Sequence, residues 1–399
     1  MQPDSMNARR ILLDVFDVAL RAVDGRASVD RFLREANLPA PIEVFAVGKA
    51  ASSMARGAQV ALGSAVERML VITKDGHTDP ALDLAAGVTQ LQSAHPVPDL
   101  RSFSNGAELE ERVRSLREGI FPLFLISGGS SSLVEALRDG VSLGEVQALN
   151  VQGLESGWDI ARLNIARARL SRIKGGGIAR LLRERRALAL FISDVPGDDP
   201  DVIGSGLLGH DVGIADSIER HVIATNETAV RAVQDGARAH GLDFEAVSTR
   251  FDGDVGAVTA DLLARLRACK CDGIVWGGES TVTLPQHHGR GGRNTHLALS
   301  FARELHAGES WMLLAAGTDG TDGPTIDAGA IVDAGTIERA TLSGCDVERA
   351  WREFDSGSAL EAAEDLVHTG PTGTNVGDLL IAIKQPATSL RGQPMPRML

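Results

Sequence analysis

Val44-Phe-Ala-Val-Gly-Lys49, an unbroken apolar run that ends on glycine and lysine, decides the fold. A run this short with no polar face suits a strand covered on both sides of a parallel sheet. The pattern returns in Leu123-Phe-Leu-Ile-Ser-Gly-Gly-Ser-Ser-Ser132, in Leu188-Ala-Leu-Phe-Ile-Ser-Asp-Val-Pro-Gly-Asp-Asp199 and in Leu313-Leu-Ala-Ala-Gly-Thr-Asp-Gly-Thr-Asp-Gly323. Each run leads into small, hydroxylated or acidic residues. In open α/β sheets such loops lie at the carboxyl ends of the strands, where ligands bind. Their uncovered N–H groups suit an anion and their carboxylates a metal ion, so together they predict a site for something phosphorylated.

Composition sets the bounds. A chain of 399 residues suggests two or three domains, and 43% hydrophobic content is ample for their cores. Aromatic residues make up 4% and Tyr is missing, which leaves Leu, Val, Ile and Ala to fill those cores. The net charge of −13 argues against nucleic acid or an anionic membrane as a main partner. Local Lys, Arg and helix N-termini can still bind a small anion. Three cysteines, Cys269, Cys271 and Cys345, have no framework spacing and fit reduced thiols. The first ten residues lack the apolar core of a signal peptide, and no apolar stretch approaches the roughly 20 residues of a membrane span. The expectation is a soluble, cytoplasmic protein.

Working along the chain, residues 7–24 read as a helix with Ile11, Leu12, Val15, Phe16, Ala19 and Ala22 on one face. Strands are expected at 42–47, 69–73, 121–127 and 187–193, with helical patterns between them, the clearest at 164–183. A second series follows. It has strands at 222–225, 244–248, 273–276, 281–284, 311–316 and 379–383, and helices at 227–240, 255–266 and 294–304. The charged loop near residue 250 is the candidate boundary, giving units 1–250 and 251–399. A cleft between two α/β halves is the expected place for chemistry.

The motifs each carry two readings. Lys49 stands beside a helix start, where ammonium and N–H groups attract an anion, unless it merely snorkels from a strand end. Ser127, Gly128, Gly129 and Ser130 open a loop that either cradles a carboxylate or phosphate or simply caps a helix. It is neither a phosphate-binding P-loop nor a dinucleotide fingerprint. Ser171-Arg-Ile-Lys-Gly-Gly176 brings Lys174 among glycines where backbone and cations could converge on a ligand. Asp194 closes a buried strand and suits Mg²⁺ or a base, although Asp and Gly also dominate ordinary turns. Asp319 and Asp322 in Thr318-Asp-Gly-Thr-Asp-Gly-Pro324 share that ambiguity. Gly277-Gly-Glu-Ser-Thr281 and Gly289-Arg-Gly-Gly-Arg-Asn294 place arginines among glycines before a helix, which suits a polyphosphate.

These segments, in this order, resemble the glycerate 2-kinases of the MOFRL type, whose members are often labelled hydroxypyruvate reductases. Thr73-Lys-Asp-Gly-His77, His95-Pro-Val-Pro-Asp99 and Thr369-Gly-Pro-Thr-Gly-Thr-Asn375 extend the likeness, which runs from about residue 7 to 384. The resemblance implies a larger N-terminal Rossmann-like three-layer α/β/α domain, a smaller MOFRL-type α/β domain and an active site in the cleft between them. It implies phosphorylation of D-glycerate at its 2-hydroxyl, with ATP and Mg²⁺ as cofactors. Lys49 is then a principal active-site residue, and Asp194 and Arg293 match polar positions of the family's cleft.

The assignment expected from this has Lys49, Asp194 and Arg293 catalytic. Ser127, Gly128, Gly129, Ser130 and Lys174 bind substrate. Gly278, Glu279, Gly291, Gly292, Asn294 and Thr318 hold the nucleotide, and Asp319 and Asp322 hold the metal. The chain departs from the family pattern at Leu207-Leu208, where Pro-Thr is usual, and at Thr295-His296, where Gln-Glu is usual. A homodimer is a further expectation. The competing readings are an NAD(P)H-dependent hydroxypyruvate reductase and a non-catalytic carboxylate-binding relative.

Overall fold

A computed structural model describes residues 3–385, apart from 143, 147, 150, 151, 153–159, 211–216 and 307. The proline-containing stretch from Gln385 reads in sequence as an irregular tail, and all of it beyond Gln385 lies outside the described residues. The first sheet holds β1 (Ile42–Val47), β2 (Val66–Lys74), β3 (Val88–Ser93), β4 (Phe121–Ile126), β5 (Ala187–Ile192) and β6 (Ile218–Ala224). Their order is β3-β2-β1-β4-β5-β6 with every pairing parallel. Every residue of β1, β4 and β5 is buried, as the continuous apolar runs require. The strand order reverses between β1 and β4, and a crevice opens there at the carboxyl ends of the strands.

The second sheet holds β7 (Phe244–Ala246), β8 (Gly273–Gly278), β9 (Trp311–Gly317), β10 (Gly329–Val332), β11 (Leu366–Val367) and β12 (Asp378–Lys384). Their order is β11-β10-β9-β12-β8-β7. Because β12 is antiparallel to both β8 and β9, those two run the same way and their outgoing loops meet the start of β12. Those loops face the crevice of the first sheet. The helix Pro3–Ala22 joins the halves, since its Leu12, Val15 and Phe16 share one core with Leu190 of β5 and Leu314 and Leu379 of the second sheet.

Several elements differ from expectation for local reasons. The segment 164–183 is two helices, Ile160–Leu170 and Gly177–Leu182, because Gly175 and Gly176 adopt left-handed φ of 54° and 77°. Both glycine N–H groups then donate to the carbonyls of Ser205 and Gly206, at 3.0 and 2.7 Å. The run 281–284 forms no strand, only an isolated bridge from Thr281 to Asp254. Strand β3 is half exposed at the sheet edge, so it lacks the apolar run by which the buried strands are read. Strand β10 has four residues, too few for a periodic signal. Cys269 and Cys271 are joined as a disulfide where reduced thiols were expected, and Cys345 is free. Residues i and i+2 of an extended segment point the same way, which brings these two together.

Candidate active site

The turn after β1 is built around one contact. Gly48 has φ 133°, and a Cβ there would lie 2.1 Å from Ser127 Oγ. That hydroxyl accepts from the Ala50 N–H at 3.0 Å, and the Lys49 N–H donates to the Gly128 carbonyl at 2.9 Å. The loops after β1 and β4 are thereby locked together at the switch point, and Lys49 is aimed across the crevice. Its Nζ donates to Asp319 Oδ2 at 2.7 Å, on the loop after β9 of the second sheet. Burial pulls the Lys49 ammonium down, but Asp319 outweighs it and leaves the pKa above the ordinary lysine value.

Lys74, at the end of β2, donates to Thr321 Oγ1 at 2.9 Å and stands 3.8 Å from Asp319 Oδ2. Burial opposes the charge of Asp319, yet Lys49 and Lys74 hold its carboxyl well below the usual range. His77 and His95 are pushed down to about 4 and about 3, first by burial and then by the lysines, so both rings are neutral near pH 7. A cavity of about 460 Å³ between Lys74, His77, His95, Thr321 and Gly370 opens on this cluster. Its chemistry suits a small anion bearing hydroxyls.

Asp194 leaves β5 toward the same crevice. Asn375 Nδ2 donates to its Oδ2 at 2.7 Å, and Arg250 donates to its carbonyl at 2.9 Å. Burial raises its pKa, against the opposing pull of Lys49. Gly128 is required beside it, because a Cβ there would lie 1.7 Å from Asp194 Oδ2.

Arg293 begins the helix Arg293–Glu304 and makes a bidentate pair with Asp378, at 2.6 and 3.0 Å, and a bridge of 3.0 Å to Glu279. Burial opposes the charge of Arg293, but Asp378 and Glu279 raise its pKa. Glu279 is itself raised by burial, with Asp378 and Asp194 adding to the push. Asp194, Glu279, Gly291, Gly292 and Arg293 line one cavity of about 610 Å³ between the two halves.

The other expected site residues fall elsewhere. Asp322 accepts from the Asn294 and Thr295 N–H groups at 3.0 and 2.8 Å, which caps the helix that Arg293 opens. Both Asp319 and Asp322 thus have their oxygens engaged. Among the described residues the grouping of three side chains of metal-ligating type is Glu245, Cys269 and Cys271, at the far end of β8, and its two sulfurs are already bonded to each other. Lys174 is buried against Glu135 at 2.6 Å. The Thr318 hydroxyl donates to the Gly377 carbonyl at 2.6 Å. Gly278 packs on Phe251, where a Cβ would lie 2.1 Å from that carbonyl oxygen. Ser130 and Asn294 are buried with side-chain polar atoms unpartnered.

Lys74, His77, His95, Asn375 and Asp378 were not singled out from sequence as site residues. Lys74 and His77 follow a strand as Lys49 does, and the same rule finds them. Asn375 and Asp378 arrive from the far end of the chain with no local signal. The departures have structural roles: Leu207 and Leu208 are core residues, and Thr295 Oγ1 accepts from the Gly292 N–H at 2.8 Å.

Comparison with known proteins finds relatives along the whole chain. Residues 11–235 match the family model described as a domain of unknown function, DUF4147, and residues 273–378 match the MOFRL family. The chain is 34% identical to the D-glycerate 2-kinase of Thermotoga maritima, over 95% of this chain and 99% of that protein. It is 30% identical to the glycerate 2-kinase of Pyrococcus horikoshii, over 98% and 99%. The crystal structure of Thermotoga maritima glycerate kinase superposes with a TM-score of 0.82 at 32% identity, covering 96% of this chain and all of that one. No described helix is long and apolar enough to cross a membrane.

Proposed function

The chain belongs to the MOFRL-type glycerate 2-kinases, and from that premise we propose that it transfers the γ-phosphoryl group of ATP to the 2-hydroxyl of D-glycerate, giving 2-phosphoglycerate and ADP. One observation carries the reading. Lys49, Asp194, Glu279 and Arg293 come from loops of both sheets and converge on the crevice at the strand-order reversal. Phosphoryl transfer asks mainly for positioning and charge neutralisation, and this set supplies both.

In this reading the glycerate carboxylate lies among Lys49, Lys74 and the Ser127–Gly129 turn, with neutral His77 and His95 offering hydrogen bonds. Asp194, oriented by Asn375, receives the proton of the 2-hydroxyl as that oxygen bonds to the γ-phosphorus and the bond to the β-phosphate oxygen breaks. Arg293 and the Gly291 and Gly292 backbone hold the nucleotide phosphates. Lys49 exchanges part of its contact with Asp319 for the charge that develops in transfer.

For Mg²⁺ the donor chemistry fits at Glu279, which has Arg293 as its ion-pair partner and is crowded by Asp378 and Asp194. Mg²⁺ takes one or two carboxylates together with substrate phosphates, and when bound it offsets their charge. Asp319 and Asp322, first expected to hold the metal, serve in this proposal to anchor Lys49 and to cap a helix. The division into units 1–250 and 251–399 is part of the proposal, with β7 contributed to the second sheet from just before that point. A cytoplasmic homodimer is carried from the sequence reading, and sedimentation tests the dimer.

The test is ADP release by purified protein with ATP, Mg²⁺ and D-glycerate, with hydroxypyruvate plus NADH or NADPH in parallel. Glycerate-dependent ADP together with 2-phosphoglycerate supports the proposal. Oxidation of NAD(P)H without ADP would overturn it in favour of a reductase.

A further inference from the structure

The cavity holding Glu279 and Arg293 at its polar end has a second end of different character, lined by Val195, Pro196, Val282, Leu284, Pro324 and Phe354. Phe354 is held there by an aromatic column. One side of its ring stacks on His296, with centroids 4.3 Å apart and planes at 19°. His296 in turn lies parallel to Trp351 at 6.0 Å and 13°, and the Arg303 guanidinium covers Trp351 at 3.9 Å. The column is fixed to its helix, since Trp351 Nε1 donates to Ser300 Oγ at 2.9 Å and that hydroxyl donates to the His296 carbonyl at 2.8 Å. His296 is 6% exposed, and its Nδ1 has no hydrogen-bond partner. The ring therefore serves by its faces. His296 is also one of the positions where this chain departs from the family pattern.

We propose that the apolar end of this cavity is a purine-base subsite, with Phe354 as its stacking surface and His296 as the positioning residue that holds Phe354 in place. The inference rests on the reading that the nucleotide phosphates lie at Gly291–Arg293. Geometry links the two subsites. The Gly289 N–H donates to the Glu353 carbonyl at 2.8 Å, the Arg290 N–H to Asp355 Oδ1 at 2.8 Å and the Gly357 N–H to the Arg290 carbonyl at 2.8 Å. The glycine loop and the segment bearing Phe354 are thus fixed in register, one for the charged part of the ligand and one for its flat apolar part. Ser280, also in the lining, has a buried hydroxyl without a partner, which a rotation of its side chain would present to a base edge. Bases stack on aromatic side chains with useful affinity whatever their identity, and a polar edge contact adds selectivity.

The experiment compares KM for ATP, KM for D-glycerate and the inhibition constant of inorganic tripolyphosphate, which has the phosphates but no base. Phe354→Ala is expected to raise KM for ATP about tenfold, within the range measured for loss of one base-stacking ring. The glycerate KM and the tripolyphosphate constant should stay at wild-type values. His296→Ala should raise the ATP KM part of the way and His296→Phe should restore it, since a second ring can stack where no hydrogen bond is lost. Phe354→Leu, which keeps apolar bulk without a ring, guards against misfolding and should show an intermediate ATP KM. An unchanged ATP KM in Phe354→Ala overturns the subsite. So does a parallel rise in the tripolyphosphate constant, because Phe354 would then only support the loop. An unchanged ATP KM in His296→Ala removes the positioning role. Tripolyphosphate that fails to compete with ATP in the wild type sinks the phosphate placement itself, a result distinct from loss of the base subsite alone.

Discussion

Lys49 is tied to both halves of the crevice, through its backbone to Gly128 and through its ammonium to Asp319. Lys49→Ala is expected to lower kcat by on the order of 10²–10³ while far-UV circular dichroism stays unchanged. Near-normal turnover would remove Lys49 from the mechanism. Lys174 makes the opposite case. Its ammonium is buried against Glu135, so Glu135→Gln should cost about 3–5 kcal/mol by leaving a cation unpaired, read as a drop in the urea midpoint. The glycerate KM should not move, and a large rise would return Lys174 to the substrate site. Lys49 and Asp194 were legible in the sequence because each ends an apolar strand. Lys174 misled because a cation among glycines looks the same whether it faces a ligand or a buried carboxylate 39 residues upstream. Asn375 and Asp378 were illegible as partners, since nothing local to them records that Asp194 and Arg293 lie beside them.

The helix Arg293–Glu304 shows what an element can hide. Glycines, arginines and a helix start read as a place for anions, and in the fold the Asp322 carboxylate fills the first turn of that helix. Burial pushes the Asp322 carboxyl up to about 6. The folded protein then binds a proton on it more readily than the unfolded chain does. Stability from this group falls as pH rises from about 4 to about 6, by on the order of 3 kcal/mol at most. The melting temperature of the wild type should therefore drop more steeply across that interval than that of Asp322→Asn. Superimposable pH profiles would show that Asp322 is not the source. Strands were legible at this scale in proportion to their burial: β1, β4, β5 and β9 stood out, while the edge strand β3 and the short β10 did not. The glycines at 175–177 marked an end of the helical segment, but charged residues on both sides keep a helical period that carried the expected pattern on to residue 183.

At the scale of the whole molecule, two sheets of different topology share one core through the helix Pro3–Ala22. Ion pairs and hydrogen bonds span the halves as well, among them Arg9–Asp365 and Thr374 Oγ1 to the Val23 carbonyl at 2.6 Å. We therefore expect one unfolding transition in urea. In a variant carrying Trp158→Phe and Trp351→Phe, fluorescence of Trp276 and Trp311, both in the second sheet, should coincide with the far-UV signal of the whole chain. Two separated transitions would show that the halves unfold independently. The alternation of buried strands and helices made an α/β architecture legible, but the seat of the first helix was not, because its partners, the helix Asn226–Ala239 and the strands β9 and β12, are remote from it in the chain.

That seat has a consequence for how the protein comes into being. The helix Pro3–Ala22 leaves the ribosome long before β12, which supplies Leu379 and Ile381 to the core around it. The amphipathic stripe of the first helix packs chiefly on the helix Asn226–Ala239, and the part that meets β12 stays uncovered until that strand is made, a natural stretch for a chaperone to shield. The crevice is complete only once β12 has been threaded between β9 and β8.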